Sequence, residues 1–232
     1  MANGTLNKKT LDKKNLNLGT LNKGSLIKSF GSSGGGGGDE YIDFNIIGSP
    51  TISDGVVSNF SSSNYLESVD VITEEQLALF RQKFILQLKV INPNPLENGK
   101  QIIYLPYRSN QSGIYTLSSG GLSWSISPYP NTYSVAYPAS SVSVYEGFYL
   151  KAEIENNIAT FSKSSDGQTW TVKGTSDITS CPAYTSDQID KKIKIGIDGT
   201  TNSSNFFKGR IDIKEGFIQY GDVKKLIRIV GA

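Results

Sequence analysis

Apolar and polar residues alternate along much of this chain with a period of two. In "FILQLKVI" (84–91), Phe84, Leu86, Leu88 and Val90 alternate with Ile85, Gln87, Lys89 and Ile91. "FYLKAEIE" (148–155) sets Phe148, Leu150, Ala152 and Ile154 against Tyr149, Lys151, Glu153 and Glu155, and "KIKIGID" (192–198) and "GRIDIKEGFIQY" (209–220) behave alike. Successive side chains of a strand point to opposite faces, so each run predicts a half-buried strand with one face on a core. "NNIATFSKSSDGQTWTV" (156–172) holds two more strand-like runs joined at Asp166-Gly167, a pair suited to a tight hairpin turn. One helix signal stands out: in "TEEQLALF" (73–80), Thr73 is placed as N-cap with Gln76 three residues on, followed by Leu77 and Phe80. Such a helix makes about two turns and is expected to plug one edge or end of the sheets. Roughly a dozen short strands with turn signals between them predict an all-β fold, a two-sheet antiparallel sandwich.

A different period precedes the strands. "TLNKKTLDKKNLNLGTLNKGSL" (5–26) carries leucine at every fifth position: Leu6, Leu11, Leu16, Leu21 and Leu26. This fits neither the 3.6 of a helix nor the 2 of a strand. Five pentads make barely one coil of a pentapeptide solenoid, too little to close a core alone. The reading that remains is an extended arm whose leucines are buried only against a partner and which orders on binding. "GSSGGGGGDE" (31–40) follows, and its five consecutive glycines lose the most entropy on ordering, so it reads as a flexible hinge. The organisation is therefore a basic docking arm (1–30), a hinge (31–40) and a sandwich (41–232).

Charge sharpens the division. Residues 1–33 hold six lysines (Lys8, Lys9, Lys13, Lys14, Lys23, Lys28) against Asp12, while the remainder holds 17 basic and 20 acidic residues. A basic arm on a mildly acidic body suits an acidic protein surface. Nucleic acid is not the expected partner, because the arm has no Arg and no aromatic residue before Phe30. The one cysteine, Cys181, permits no intramolecular disulfide. "MANGTLNKK" has no apolar secretory segment, and no stretch approaches a membrane span, so folding in a reducing cytoplasm without membrane insertion is expected.

The order of several pieces is familiar. "DGVVSNFSSSNYLES", "SKSSDGQTWTV", "IKIGIDG" and "FFKGRIDIKEGFIQYGD" together resemble the concanavalin A-like lectin/glucanase (LamG-like) jelly rolls common in bacteriophage virion proteins. The closing element of that group, an aromatic, a glycine and an I-D-I-K-x-x-x-I strand, is matched by Phe207, Gly209, Ile211, Asp212, Ile213, Lys214 and Ile218. The resemblance covers about residues 45–222 and leaves out the arm and the tail "KKLIRIVGA". It implies a two-sheet jelly roll of a kind often sugar-binding or structural, with some glycoside hydrolases among its relatives.

The chemistry of the chain narrows these options. Retaining glycosidases need two carboxyls a few ångströms apart, and the hydrolases this fold resembles carry them as an E-x-D-x-x-E run, which is missing here. Glu40 and Asp43 fall on opposite faces of their strand, and Glu153 and Glu155 share a face expected to be solvated. The chain contains no histidine, which excludes Ser-His-Asp and Cys-His constellations and His-containing metal sites. Cys181, before Pro182, therefore reads as a buried or loop thiol, and the glycine run lacks a Walker ending. No cofactor is expected. For calcium the candidates are Asp198 and Asn202, with Asn205 and Asp166, although Asp and Asn before Gly are also what tight turns require. "SSDGQTW" is similar to the structural Asp-box hairpin of sugar-processing proteins but one residue shorter, which assigns Trp170 to the core. For binding, the aromatic stretch 122–145 offers Trp124, Tyr129, Tyr133 and Tyr137 between Pro128, Pro130 and Pro138, which disfavour a long ladder strand. These rings suit sugar contact, a subunit interface or packing within a proline-braced loop, and all three readings stay open.

The expectation that follows is a non-enzymatic bacteriophage virion protein: a head decoration, fibre or tail appendage made in the host cytoplasm. Its arm, with Leu6, Leu11, Leu16, Leu21, Leu26, Lys8 and Lys13, would dock on other virion proteins. Its jelly roll would be displayed, as a homo-oligomer, toward a host-surface glycan. The alternative is a soluble carbohydrate-binding protein or glycoside hydrolase of the same fold.

Overall fold

The computed structural model describes residues 40–80, 82–91, 100–106, 113–116, 122–126, 134–137, 147–180, 192–199 and 204–231. The pentad arm, all of the hinge but Glu40, and Cys181 lie outside the described residues. Before the helix come β1 (Tyr41–Ile47), β2 (Thr51–Ser53), β3 (Val56–Ser58) and β4 (Tyr65–Ser68). Helix α1 (Glu74–Phe80) leads into β5 (Lys83–Ile91), β6 (Gln101–Tyr104), β7 (Gly113–Thr116), β8 (Leu122–Ser125) and β9 (Ser134–Tyr137). Then follow β10 (Phe148–Glu155), β11 (Ile158–Ser164), β12 (Thr171–Asp177), β13 (Lys194–Ile195), β14 (Arg210–Tyr220) and β15 (Val223–Ile229).

The period-two pattern is cleanest in β5, where Phe84, Leu86, Leu88 and Val90 are buried and the alternate residues are half-buried. β10 pairs with it so that Phe148 faces Val90, Leu150 faces Leu88, Ala152 faces Leu86 and Ile154 faces Phe84. Opposed residues of an antiparallel pair share a face, so the register gathers eight apolar side chains on one side. Complete burial of each of the larger ones contributes about 1.5–3 kcal/mol. The capping box of α1 forms as the sequence predicts. The Thr73 amide donates to Gln76 Oε1 (2.9 Å), and the Gln76 amide donates to Thr73 Oγ1 (3.2 Å). Leu77 and Phe80 are buried, and the Phe80 ring lies 4.6 Å from Phe84 and edge-on to Trp124 at 6.5 Å.

Hydrogen bonding links the strands in the order β12-β11-β10-β5-β14-β15-β1-β4-β13-β6-β7-β8-β9, with the β2–β3 hairpin joined to β14 through β3. The sheet curls until its two end strands, β12 and β9, come close to each other. One core is shared by both halves of the path: Phe44, Leu86, Phe161 and Ile218 from one, Leu66, Ile103, Ile114 and Trp124 from the other. The fold is an all-β sandwich. Among the described residues no helix is long and apolar enough to cross a membrane.

Three details differ from the sequence expectation. The sandwich is not wholly antiparallel, because β1 runs parallel to β15, from Tyr41 opposite Leu226 to Phe44 opposite Ile229. The tail outside the family resemblance is thus part of the sheet, turning at Gly221-Asp222 and filling the gap between β14 and β1. "KIKIGID" is not a half-buried strand: only Lys194–Ile195 pair, and residues 193–198 are buried throughout. The cause is position, since β13 lies between β4 and β6, with Lys194 opposite both Glu67 and Tyr104. Lys194 tolerates this because its ammonium lies 3.9 Å from the Glu67 carboxylate and donates to the Gly199 carbonyl. Gly196 then turns the chain at φ +90°, where any Cβ would run into the Phe60 ring. Finally, Asp166-Gly167 does not make a two-residue turn. β11 and β12 do form a hairpin, but their last opposed pair is Lys163 and Thr171, leaving a wider loop between them.

Candidate functional site

That loop is held by its own side chains. Asp166 Oδ1 accepts from the amides of Gln168 and Thr169, both at 2.8 Å, and from Ser164 Oγ at 2.7 Å. Ser164 Oγ in turn accepts from the amides of Asp166 (3.2 Å) and Gly167 (2.9 Å). These donors, the Ser164 hydroxyl foremost, hold the Asp166 carboxyl far below its ordinary pKa. The acid serves the loop's structure, in line with turn chemistry.

Beside the loop opens a cleft of about 310 Å3 lined by Lys163, Ser164, Ser165, Thr169, Thr171 and Lys173. Its residues come from β11 (Lys163, Ser164), β12 (Thr171, Lys173) and the loop between them (Ser165, Thr169). Lys163 is opposite Leu150 on one side and Thr171 on the other, so it shares a face of β11 with Ala159 and Phe161. Its ammonium lies 5.2 Å above the Phe148 ring, which orients it. Between Phe161 and Ser162 the register with β12 shifts by one residue, and Lys173 is the extra residue in β12. A bulge of this kind re-aims a side chain, here into the cleft beside Thr171.

The outer face of the same sheet is also rich in rings and charges, but these satisfy one another. Lys83 pairs with Asp222 (2.7 Å), Lys89 with Asp212 (3.8 Å), Lys151 with Glu153 (3.1 Å) and Arg228 with both oxygens of Asp43 (2.7 and 2.9 Å). The Arg228 hydrogen bonds lower the Asp43 pKa. Several of these cations cover rings as well: Lys89 lies over Tyr149, Lys151 over Trp170 and Arg228 over Tyr41, at 5.2, 5.0 and 4.4 Å. The Tyr149 hydroxyl donates to Glu215, which, with burial, raises its pKa to about 12. A second cleft of about 310 Å3, between Tyr41, Asp70, Val71 and Lys225, is of mixed polarity, and its one aromatic ring already lies beneath Arg228.

The residues singled out from the sequence do not converge on one place. Trp124 is not a surface contact: it is fully buried between Phe80 and Phe84 and belongs to the core. Its strand is short, as the neighbouring prolines predict, and pairs with β9. Tyr137 ends β9, but its side chain lies outside the described residues, as do Tyr129 and Tyr133. Trp170, assigned to the core, is instead half-buried at the surface beneath Lys151. Of the calcium candidates, Asp198 is buried and accepts a hydrogen bond from Asn205 Nδ2 at 3.2 Å, while Asn202 lies outside the described residues. Among the described residues no group of three acidic or cysteine side chains could hold a metal ion. Leu6, Leu11, Leu16, Leu21, Leu26, Lys8 and Lys13 lie outside the described residues. Glu155 is exposed, and Glu153 is half-buried and paired to Lys151. The cleft lysines were missed, although the sequence holds one signal for them. Thr169, Thr171 and Lys173 recur every second residue where an apolar face is expected.

No family model matches the chain, and neither does any curated protein. Solved structures do. The ligand binding domain of botulinum neurotoxin serotype D, in complex with N-acetylneuraminic acid, is 11% identical with a TM-score of 0.53, covering 78% of this chain and 43% of that one. The enzymatically active domain of bacteriophage CBA120 tailspike protein 2 is 7% identical with a TM-score of 0.52, covering 82% and 30%. The sialidase of Trypanosoma rangeli, in complex with 2,3-difluoro-KDN, is 11% identical with a TM-score of 0.50, covering 76% and 27%. The likeness is one of fold. This chain spans less than half the length of each of those chains, and what it shares with them is a β-sandwich.

Proposed function

We propose that this chain is a non-enzymatic bacteriophage virion protein whose sandwich reads a host-surface glycan and whose N-terminal arm docks it on the particle. The observation that carries the reading is the sandwich itself, a fold it has in common with a domain solved with N-acetylneuraminic acid bound and with a phage tailspike domain. The five-leucine basic arm and the glycine hinge ahead of the sandwich support a displayed arrangement. A binding role rather than hydrolysis is supported by the state of the acids. Asp43, Asp212, Glu153 and Asp222 are each paired to a cation, and Asp166 is committed to its loop. Binding needs no cofactor, and the partners are other virion proteins, further copies of the chain and the glycan.

The test is incorporation. Full-length chains carrying Leu11→Ser, Leu16→Ser and Leu21→Ser are expected to fold with an unchanged melting temperature yet to be missing from assembled virions. Incorporation equal to wild type would overturn the docking role.

A further inference from the structure

We propose that the cleft at the start of β1 receives the pentad arm of a second copy of this chain, so that copies on the particle are linked to one another. The inference rests on the docking role proposed above and names the surface on which an arm docks.

The distribution of exposed apolar residues is the first argument. β1 and β15 run parallel, so both begin at one end of the sheet. The cleft of about 310 Å3 opens there, between Tyr41 and Ile42 of β1, Asp70 and Val71, Gln76 of α1 and Lys225 of β15. Six large apolar residues stand exposed among the described residues, and three of them gather here. Tyr41 (40% exposed) and Val71 (49%) line the cleft, and Val69 (41%) directly precedes Asp70. A fourth, Val223 (46%), shares a face of β15 with Lys225. Apolar groups gathered on a surface in this way mark an interaction site.

Charge is the second argument. Asp70 lines the cleft, Glu75 stands in the first turn of α1 just before Gln76, and Glu40 directly precedes Tyr41. Against them stands Lys225, while Arg228, over the Tyr41 ring, is matched by Asp43. Three acids against one lysine make the rim acidic, and the arm carries six lysines against Asp12. Opposite fields steer such partners together and fix their register. The mixed polarity of the cleft also suits a segment whose leucines are spaced by lysine and asparagine.

Reach is the third. Residues 1–40 extended span at most about 140 Å, against a radius of gyration of about 16 Å for a domain of the sandwich's size. That length reaches a neighbouring copy. An arm closed on its own sandwich would hold nothing to the particle, so the docking role selects a second copy. The two surfaces differ, so the contact is heterologous and, repeated around a ring, closes a cyclic oligomer.

The test is zero-length carbodiimide cross-linking of a mixture of isotopically labelled and unlabelled full-length protein, which joins lysine to carboxylate only where the two touch. Peptides joining Lys8, Lys13, Lys14 or Lys23 to Asp70 or Glu75 are expected, with labelled and unlabelled halves mixed. In sedimentation velocity the wild type is expected to self-associate, less so as salt rises. Val71→Ser, the pair Asp70→Lys and Glu75→Lys, and the three-leucine arm variant are each expected to weaken that association about tenfold or more, with folding verified by melting temperature. Cross-links confined to peptides of one label would place each arm on its own sandwich and overturn the second-copy occupant. A monomeric wild type, or an oligomer untouched by the cleft or arm variants, would overturn the inference and leave the docking role standing if the arm variant is still missing from virions. Incorporation of the arm variant equal to wild type would overturn the docking role and this inference with it.

Discussion

The Tyr220 hydroxyl gives the packing account a direct test. Tyr220 sits on β14 opposite Phe84, with the rings 5.2 Å apart and only 5% of the residue exposed. Its oxygen is buried without a hydrogen-bond partner among the described residues, and burial raises its pKa above the ordinary phenol value. Leaving a buried hydroxyl unsatisfied costs about 1–3 kcal/mol. Tyr220→Phe removes that cost and leaves a void of one oxygen atom, which takes back part of the gain. The expected net is a stabilisation of about 1 kcal/mol, which raises the melting temperature by about 2–4 °C for a chain of this size. Differential scanning calorimetry at pH 7 reads it directly. A pH series adds a second reading. Because the folded-state pKa is raised, the unfolded chain loses the phenolic proton first, so stability is unaffected below about pH 10 and falls as pH rises above it. The Phe variant is expected to lose its share of that alkaline slope. A melting temperature lowered by 2 °C or more would refute the reasoning, because it would mean the hydroxyl has a partner.

Other expectations follow from single residues. Gly196→Ala forces a Cβ into the Phe60 ring at a positive φ and is expected to lower stability by more than about 1 kcal/mol, read as a lower urea midpoint. An unchanged midpoint would contradict the turn geometry. Asp166→Ala is expected to lower the melting temperature at pH 7. The Asp166 pKa is depressed in the fold, so its contribution is complete above the ordinary value of 3.8 and is lost as pH falls below it. The gap between wild type and variant should therefore close on acidification, and a gap that widened would reverse the assignment. In a reducing-sugar assay, wild type, Glu153→Gln and Glu155→Gln are all expected to release nothing. Hydrolysis abolished by either change would replace the binding role with an enzymatic one.

The sequence made much of this fold legible and much less of the site. β5 and β10 were readable because one face packs on the core while the other meets polar neighbours, so burial writes itself as alternation. The capping box at Thr73 and Gln76 was readable because it is local. β13 was not, because a strand flanked on both sides buries a lysine as readily as an isoleucine when Glu67 lies opposite. β15 was hidden because its parallel partner β1 lies some 180 residues away in sequence. Trp124 stayed open between packing and binding since an aromatic near prolines reads alike in a core and on a surface; Phe80 and Phe84 decide the matter. Lys163 and Lys173 were not singled out, because the register shift that makes Lys173 the extra residue of β12 is set by pairing with β11 rather than by the local sequence.

The central claim is that this sandwich reads glycans, and the most direct measurement is a glycan array probed with the full-length chain at physiological salt. A glycan-reading sandwich predicts retention on a subset of saccharides above that on a surface bearing none. Retention on none of them, by a chain whose fold is verified by circular dichroism, would contradict it.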